Sequence, residues 1–248
     1  MACILHIETS TNVCSVAVSE SGQCIFKQDA RGEKGAGAER LGTMVDEAIS
    51  FTDSHAIPFD AVSVSSGPGS YTGLRIGVSM AKGICYGRDL KLIAVPTLEV
   101  MCVPLLLRET VRVKGAAEPM PMPEDALLCP MIDARRMEVY AAVFDRSLHC
   151  LRDTRADVVS ADTYRELLDS HPIYFFGNGA EKCMDVINHP NARLVEGIEP
   201  MAQWMMPLAE RRFLNGQFED VAYYEPFYLK DFVAIKPKDL LQTVNQKQ

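Results

Sequence analysis

Residues 4–18 read ILHIETSTNVCSVAV, and residues 131–144 read MIDARRMEVYAAVF. Each stretch is an apolar run closed by an acid, Glu8 or Asp133, followed by a polar turn and a returning apolar run. An offset of 125 residues superimposes Ile7-Glu8 on Ile132-Asp133 and Val16-Ala17-Val18 on Ala141-Ala142-Val143. Two apolar runs joined by a short polar turn read as a β-hairpin, and self-similarity at one offset reads as a duplicated unit.

Working outward from the first copy, Ser21-Gly22 supplies a turn before a third short strand, Gln23 to Phe26. Leu41, Met44, Val45, Ala48 and Ile49 recur at three- and four-residue spacing, which predicts a helix beginning near Ala38. A strand from Phe59 to Ser65 ends at the breaker cluster Ser66-Gly67-Pro68-Gly69-Ser70. A helix over 72–86 follows, with Ser70 as its cap and Gly87 as its stop. Lys91 to Val95 is a strand, and Thr97 caps the helix after it. Strand–helix alternation of this kind means an α/β protein.

The Pro-rich run 114–125 divides the chain into lobes at 1–108 and 109–248. In the second lobe, Ala126 to Ile132, Val139 to Phe144 and Ile173 to Phe176 read as strands, the last leading into Gly177-Asn178-Gly179. Residues 201–214 form an amphipathic helix with Trp204, Met205, Leu208, Phe213 and Leu214 on one side and Gly216 as its stop. The tail from Lys236 is polar and reads as a frayed end.

Composition narrows the function classes. The 248 residues carry 25 Lys+Arg against 33 Asp+Glu, a formal charge of −8. With 48% hydrophobic and 23% charged residues the chain is an ordinary globular protein, not a disordered one. The acidic balance argues against strong non-specific binding to nucleic acid, though a local basic patch is compatible with it. No signal peptide and no bilayer-spanning run is evident, which implies a cytoplasmic protein with no membrane partner. The eight cysteines are scattered without a C-x-x-C, so they read as reduced, mostly buried thiols.

The densest motif is Gly67-Pro68-Gly69-Ser70-Tyr71-Thr72-Gly73-Leu74-Arg75-Ile76-Gly77. It is neither a Walker loop nor a G-x-G-x-x-G fingerprint. Glycine costs about 1 kcal/mol relative to alanine inside a helix, and Gly73 and Gly77 incur that cost twice on one face. The compensation is close backbone contact with another helix, either inside the lobe or across a subunit interface. Arg75 and Lys82 sit two turns apart on another flank, where they can meet an acidic partner.

Duplicated hairpins with an acidic turn residue point to the actin-like architecture shared by sugar kinases and Hsp70 ATPases (ASKHA, ribonuclease H-like). There the two turns grip nucleotide phosphates across a cleft. A working first turn is usually Asp-x-Gly-Thr, whose Gly lets backbone N–H groups approach the phosphates. Here Glu8-Thr9-Ser10-Thr11 has a longer acid and an added side chain, so the site reads as eroded. Asp133 and Arg135 at the second turn read as a metal-plus-phosphate pair or as a local salt bridge. The five histidines form no H-x-x-x-H or H-E-x-x-H pair, and no Ser lies in a G-x-S-x-G elbow.

ILHIETSTNVCSVAV, SSGPGSYTGLRIGVSMAKGICYG, IAVPTLEVM, MIDARRMEVYAAVF and EPFYLK together resemble the TsaB (YeaZ) family, in the same order over nearly the whole chain. Related TsaD proteins share the glycine turn but are longer and carry an H-x-x-x-H metal pair, which this chain lacks. The resemblance implies a non-catalytic subunit of tRNA threonylcarbamoylation. Such a subunit binds a TsaD-type transferase together with a TsaE-type ATPase, meets tRNA through the complex, and forms a homodimer when alone. It implies no tightly bound cofactor and no metal, with weak ATP or ADP binding at the complex interface as the one exception. Carried over by position, Gly69, Thr72, Gly73, Arg75, Ile76, Gly77 and Met80 are the interface residues, and Glu8, Thr9, Thr11, Asp133 and Arg135 mark a vestigial nucleotide cleft. The chain departs from the family at Glu8, where Asp is usual, and at Gly37-Ala38-Glu39, where a His-Ser or His-Thr pair is frequent. Competing readings are a glycoprotease-like (M22-type) peptidase and a stand-alone actin-like ATPase or kinase.

Overall fold

A computed structural model describes residues 2–32 and 39–230. The expected helix start at Ala38, the Gly37-Ala38 part of the family departure and the tail from Lys236 lie outside the described residues.

Ten strands form two five-stranded sheets. The first is built from β1 (Cys3–Glu8), β2 (Val13–Glu20), β3 (Gln23–Arg31), β4 (Ala61–Gly67) and β5 (Lys91–Pro96) in the order β3-β2-β1-β4-β5. The second comprises β6 (Leu127–Asp133), β7 (Glu138–Phe144), β8 (Cys150–Val158), β9 (Ile173–Phe176) and β10 (Ala192–Val195) in the order β10-β9-β6-β7-β8. Read from the opposite edge, the second order repeats the first. In both sheets the central strand runs antiparallel to the strand that follows it and parallel to the fourth. In both, the central strand ends in the acid, Glu8 or Asp133.

Side-chain alternation explains how the first sheet is covered on both faces. Cys3, Leu5 and Ile7 point into one core cluster beneath α1 (Leu41–Ser54) and α2 (Tyr71–Arg88). Ala2 and Ile4 point into the opposite layer, beneath α3 (Thr97–Leu106) and α6 (Ala202–Leu214). His6 shares that second face and is fully buried between Ser63 Oγ at 2.7 Å and Ser19 Oγ at 2.8 Å. Burial holds its imidazole down at about 3, so it is neutral at physiological pH. Helix α3 is apolar all round because it serves two cores. Val100 and Val103 face the first sheet, while Leu98, Met101, Cys102 and Leu105 face the second.

Strands β1–β5 precede residue 109 and β6–β10 follow it, but α6 returns to the first sheet, where Met205, Leu208 and Ala209 pack with Ile4, Ala61 and Ile93. Leu214, expected on the apolar side of that helix, is 70% exposed. Several element ends differ from the sequence reading: β3 runs on to Arg31 instead of ending at Phe26, and β4 starts at Ala61 instead of Phe59 and continues to Gly67. Helix α2 runs past Gly87 to Arg88 and stops at Asp89, which takes the left-handed conformation at φ 55°. Thr97 is the first residue of α3 rather than its cap, and its hydroxyl makes no hydrogen bond. Two short helices, α4 (Arg165–Leu168) and α5 (Glu181–Met184), cover the second sheet together with Tyr164, Leu168, Cys183 and Ile187. Six cysteines are buried and two, Cys24 and Cys150, are exposed; all eight are free thiols.

Candidate functional site

The first hairpin turn is clasped by the N-terminal half of α2. Ser70 caps that helix by accepting from Gly73 N at 3.2 Å, as its place before the helix predicts. Ser70 N donates to Ser10 O at 2.7 Å, and Thr9 Oγ1 donates to Gly73 O at 2.7 Å. The glycines permit this approach. A Cβ at Gly69 would lie 2.4 Å from Ser10 O, one at Gly73 2.1 Å from Thr9 O, and one at Gly77 2.2 Å from Thr9 Oγ1. The glycine face is thus packed inside the lobe, against a hairpin turn and not against another helix as expected. Gly73 and Gly77 are buried against the chain's own turn, and Gly69 is half-buried beside it.

Glu8 is fully buried at the base of this turn. One carboxylate oxygen accepts from Ser10 N at 2.6 Å and the other has no hydrogen-bond partner. Burial pushes the carboxyl up to about 7, against the downward pull of the nearby polar groups of Ser10, Ser65 and Thr9. Thr9 and Ser10 are buried as well, and Thr11 Oγ1 accepts from Val13 N at 3.3 Å inside the hairpin. The acid, Thr9 and Thr11 are thus spent on the turn itself.

The second turn stays open. Asp133 accepts from Arg135 N at 3.0 Å and is paired with Lys182, whose ammonium also donates to the carbonyls of Arg136 and Glu138 at 2.5 and 2.8 Å. Asn178 accepts from Asp133 N at 2.9 Å. A Cβ at Gly179 would lie 2.9 Å from Asp133 N, so the β9–α5 loop meets this turn as the β4–α2 loop meets the first. Asp133 bonds the Arg135 backbone and the Lys182 side chain, so the expected Asp133–Arg135 charge pair is replaced by an Asp133–Lys182 pair. These donors do not fit a metal-and-phosphate grip: one acid is sealed in the core and the other already carries an ammonium. Among the described residues no three His, Cys, Asp or Glu come together as a metal-holding group.

The opposite face of α2 is different. Thr72, Arg75, Ile76 and Met80, together with Tyr71, Ser79, Gly83 and Ile84, line an open groove of about 730 Å³ that is mostly apolar. Ile76 is 37% exposed. The helical part of the interface set thus divides, with Gly73 and Gly77 inward, Thr72, Arg75 and Ile76 outward, and Met80 at the boundary, half-buried against the first core cluster. Tyr71, Ser79, Gly83 and Ile84 escaped the sequence reading, although the i, i+4 series through 72, 76, 80 and 75, 79, 83 carries the signal.

Sequence reasoning also missed a strap formed by residues 219–230. Glu219 bridges to Leu92 at the sheet edge, Lys82 Nζ donates to Ala222 O and Tyr224 O at 3.0 Å each, and Phe227 N donates to Ser66 O at 2.7 Å. Lys82 therefore meets backbone carbonyls of its own chain. Gly67 takes φ 106°, and its bare Cα admits Phe227 O, which would stand 2.6 Å from a Cβ there. Tyr228 stacks against Tyr71 at 4.6 Å, Arg75 lies over the Tyr71 ring, and Lys230 pairs with Glu138 in the second lobe.

Two sheets of one topology, each with a hairpin turn met by a glycine loop, define the class: a duplicated actin-like α/β protein. A family model described as "TsaD: tRNA N6-adenosine threonylcarbamoyltransferase" matches residues 36–171. The tRNA threonylcarbamoyladenosine biosynthesis protein TsaB of Escherichia coli (strain K12) is 29% identical over 242 residues, covering 94% of this chain and 96% of the relative. The TsaB protein of Haemophilus influenzae is 25% identical over 251 residues, covering 94% and 95%. A solved Pseudomonas aeruginosa structure, of a protein with similarity to peptidase YEAZ, superimposes with TM-score 0.75 at 22% identity, covering 93% of this chain and all of that one. The chain belongs to this family as one of its TsaB (YeaZ) members.

Proposed function

We propose that the chain is a non-catalytic subunit in the formation of threonylcarbamoyladenosine on tRNA, and that it acts by docking a TsaD-type transferase on the outer face of α2. The names of its relatives support a role in tRNA threonylcarbamoyladenosine biosynthesis. The observation that carries the docking reading is the division of labour on α2. Its inner face is consumed by the Gly73–Thr9 and Gly77–Thr9 approaches, while its outer face exposes a continuous apolar groove. An exposed apolar groove with an arginine and a tyrosine at its end has the composition of an interface core. In this reading a TsaE-type ATPase joins the assembly, tRNA is held mainly by the complex in keeping with the −8 charge, and two copies pair through the same face when no partner is present. No cofactor is bound tightly by the chain alone; weak ATP or ADP binding belongs to the complex interface.

The test is light scattering on a sizing column of this chain mixed with the TsaD-type protein of the same organism. Wild type should give a one-to-one complex. Ile76→Glu, which places a charge in the groove without touching the turn, should weaken it by at least tenfold while leaving the melting temperature unchanged. Gly73→Leu cannot serve as the probe, because its side chain would strike Thr9 O and report folding instead. No complex with wild type under any nucleotide condition, or a complex indifferent to Ile76→Glu, overturns the proposal.

A further inference from the structure

We infer that the β6–β7 turn is a contact site for the phosphodiester backbone of RNA, made by the guanidinium groups of Arg135 and Arg136; that the RNA is a tRNA rests on the function proposed above.

The turn is rigid before any ligand arrives. Ala134 N donates to Glu138 O at 3.1 Å, Glu138 N to Arg135 O at 3.0 Å, and Arg135 N to Asp133 Oδ1 at 3.0 Å. Its two central residues both take the left-handed conformation, Arg135 at φ 76° and Arg136 at φ 50°. Glycine or asparagine adopts that conformation at lower cost. Two adjacent arginines there add long cationic side chains that the turn does not need for its own closure.

Charge accounting separates the structural cations from the available ones. Lys182 spends all three N–H bonds on Asp133 and on the carbonyls of Arg136 and Glu138, and Lys230 pairs with the Glu138 carboxylate. Both acids of the turn are therefore satisfied by lysines. Among the described residues the guanidinium groups of Arg135 and Arg136 make no hydrogen bond or ion pair, and both residues are exposed. Two uncompensated arginines thus project from one turn of a chain whose net charge is −8.

Guanidinium groups bind phosphate oxygens through two parallel N–H bonds. The turn is open to solvent, with Asp133, Arg135 and Arg136 all exposed. A solvent-exposed pair of arginines suits an extended polyanion passing over it better than a free nucleotide, which needs walls. The contrast with the first hairpin supports this. There the equivalent turn is sealed by the eighteen-residue α2, whereas the one-turn α5 leaves the second turn uncovered.

The experiment is a fluorescence anisotropy titration of a labelled, unmodified tRNA transcript between 50 and 200 mM KCl, with the full chain alone and with the chain mixed with its TsaD-type partner. The double variant Arg135→Gly/Arg136→Gly suits the turn's backbone, so it should fold and keep its partner. It should bind RNA about tenfold more weakly at 100 mM salt, with a salt slope shallower by about 1.5–2. Arg135→Lys/Arg136→Lys should restore most of that slope. An unchanged slope in the glycine variant, RNA binding absent from both wild-type preparations, or a lysine variant as weak as the glycine one overturns the inference. So does loss of ATP binding in the glycine variant with RNA binding intact, which would assign the site to free nucleotide phosphate. Sizing chromatography of the same samples keeps the two proposals apart: failure of wild type to form the complex refutes the docking role, while the titration of the chain alone still decides the RNA contact.

Discussion

Replacing Gly73 by alanine sets two effects of opposite sign against each other, and the structure says which wins. In an exposed helix the change should stabilise by about 1 kcal/mol. Here the new Cβ would stand 2.1 Å from the backbone oxygen of Thr9, and that oxygen belongs to a hairpin turn pinned by Ser70 N and by the Glu8 carboxylate. Overpacking of a fixed site costs about 1–3 kcal/mol. Displacing the helix also loosens the Thr9–Gly73 hydrogen bond, worth about 1 kcal/mol. Net destabilisation of about 1–3 kcal/mol follows, read as a fall in melting temperature of about 2–10 °C for a chain of this size. Gly77→Ala meets a different obstacle, the Thr9 hydroxyl at 2.2 Å, which is a side-chain atom. Thr9→Ala should therefore rescue part of the Gly77→Ala loss, with a coupling of about 1 kcal/mol, and should leave the Gly73→Ala loss in place. Gly87→Ala, where a Cβ meets nothing within 4 Å, supplies the baseline and should gain about 0.5–1 kcal/mol. Urea unfolding at 25 °C followed by circular dichroism measures wild type, the four single variants and the two double variants. Gly73→Ala at or above wild-type stability, or a Thr9→Ala background that rescues both glycine variants equally, would refute the reasoning.

Two further outcomes follow from the same region. Because the buried Glu8 carboxyl sits near 7 in the folded chain and near 4.5 when unfolded, the native state binds the extra proton, and stability falls as pH rises from about 4.5 through 7. Glu8→Gln should remove that dependence, gaining on the order of 3 kcal/mol over wild type at pH 8 and almost nothing at pH 4; an equal gain at both pH values contradicts the assignment. Lys82→Met keeps the aliphatic stem but loses both bonds to Ala222 O and Tyr224 O, so the strap should open more often and chymotrypsin should cut after Tyr223 about five- to tenfold faster. An unchanged cleavage rate would mean the strap is held by Tyr228 and Phe227 instead.

Strands with an apolar pattern were legible because burial on both faces leaves a continuous signal, as in Ile173–Phe176 and Lys91–Pro96. Strand β8 was not, since its sequence CLRDTRADV alternates charges along a sheet edge and resembles a solvated loop. Its Asp157 and Arg152 are nonetheless drawn inward, where Tyr164 Oη donates to Asp157 at 2.9 Å. Strand β10 is only four residues long and its pairing with β9 is entirely non-local.

The sequence alone determined the duplication, the α/β class and the family, because hairpin patterns, turn glycines and the GPGSYTGLRIG block are local and survive in one dimension. Only the tertiary structure decided what each glycine and each acid does. Gly73 and Ile76 are three residues apart and both read as contact residues, yet an angular offset of only about 60° around the helix puts one in the Thr9 turn and the other in the open groove. Glu8 and Asp133 end equivalent strands, yet a long helix buries the first while a short one leaves the second in reach of Lys182. Direction and burial depend on what packs against an element, and those neighbours lie between about 45 and 65 residues away along the chain.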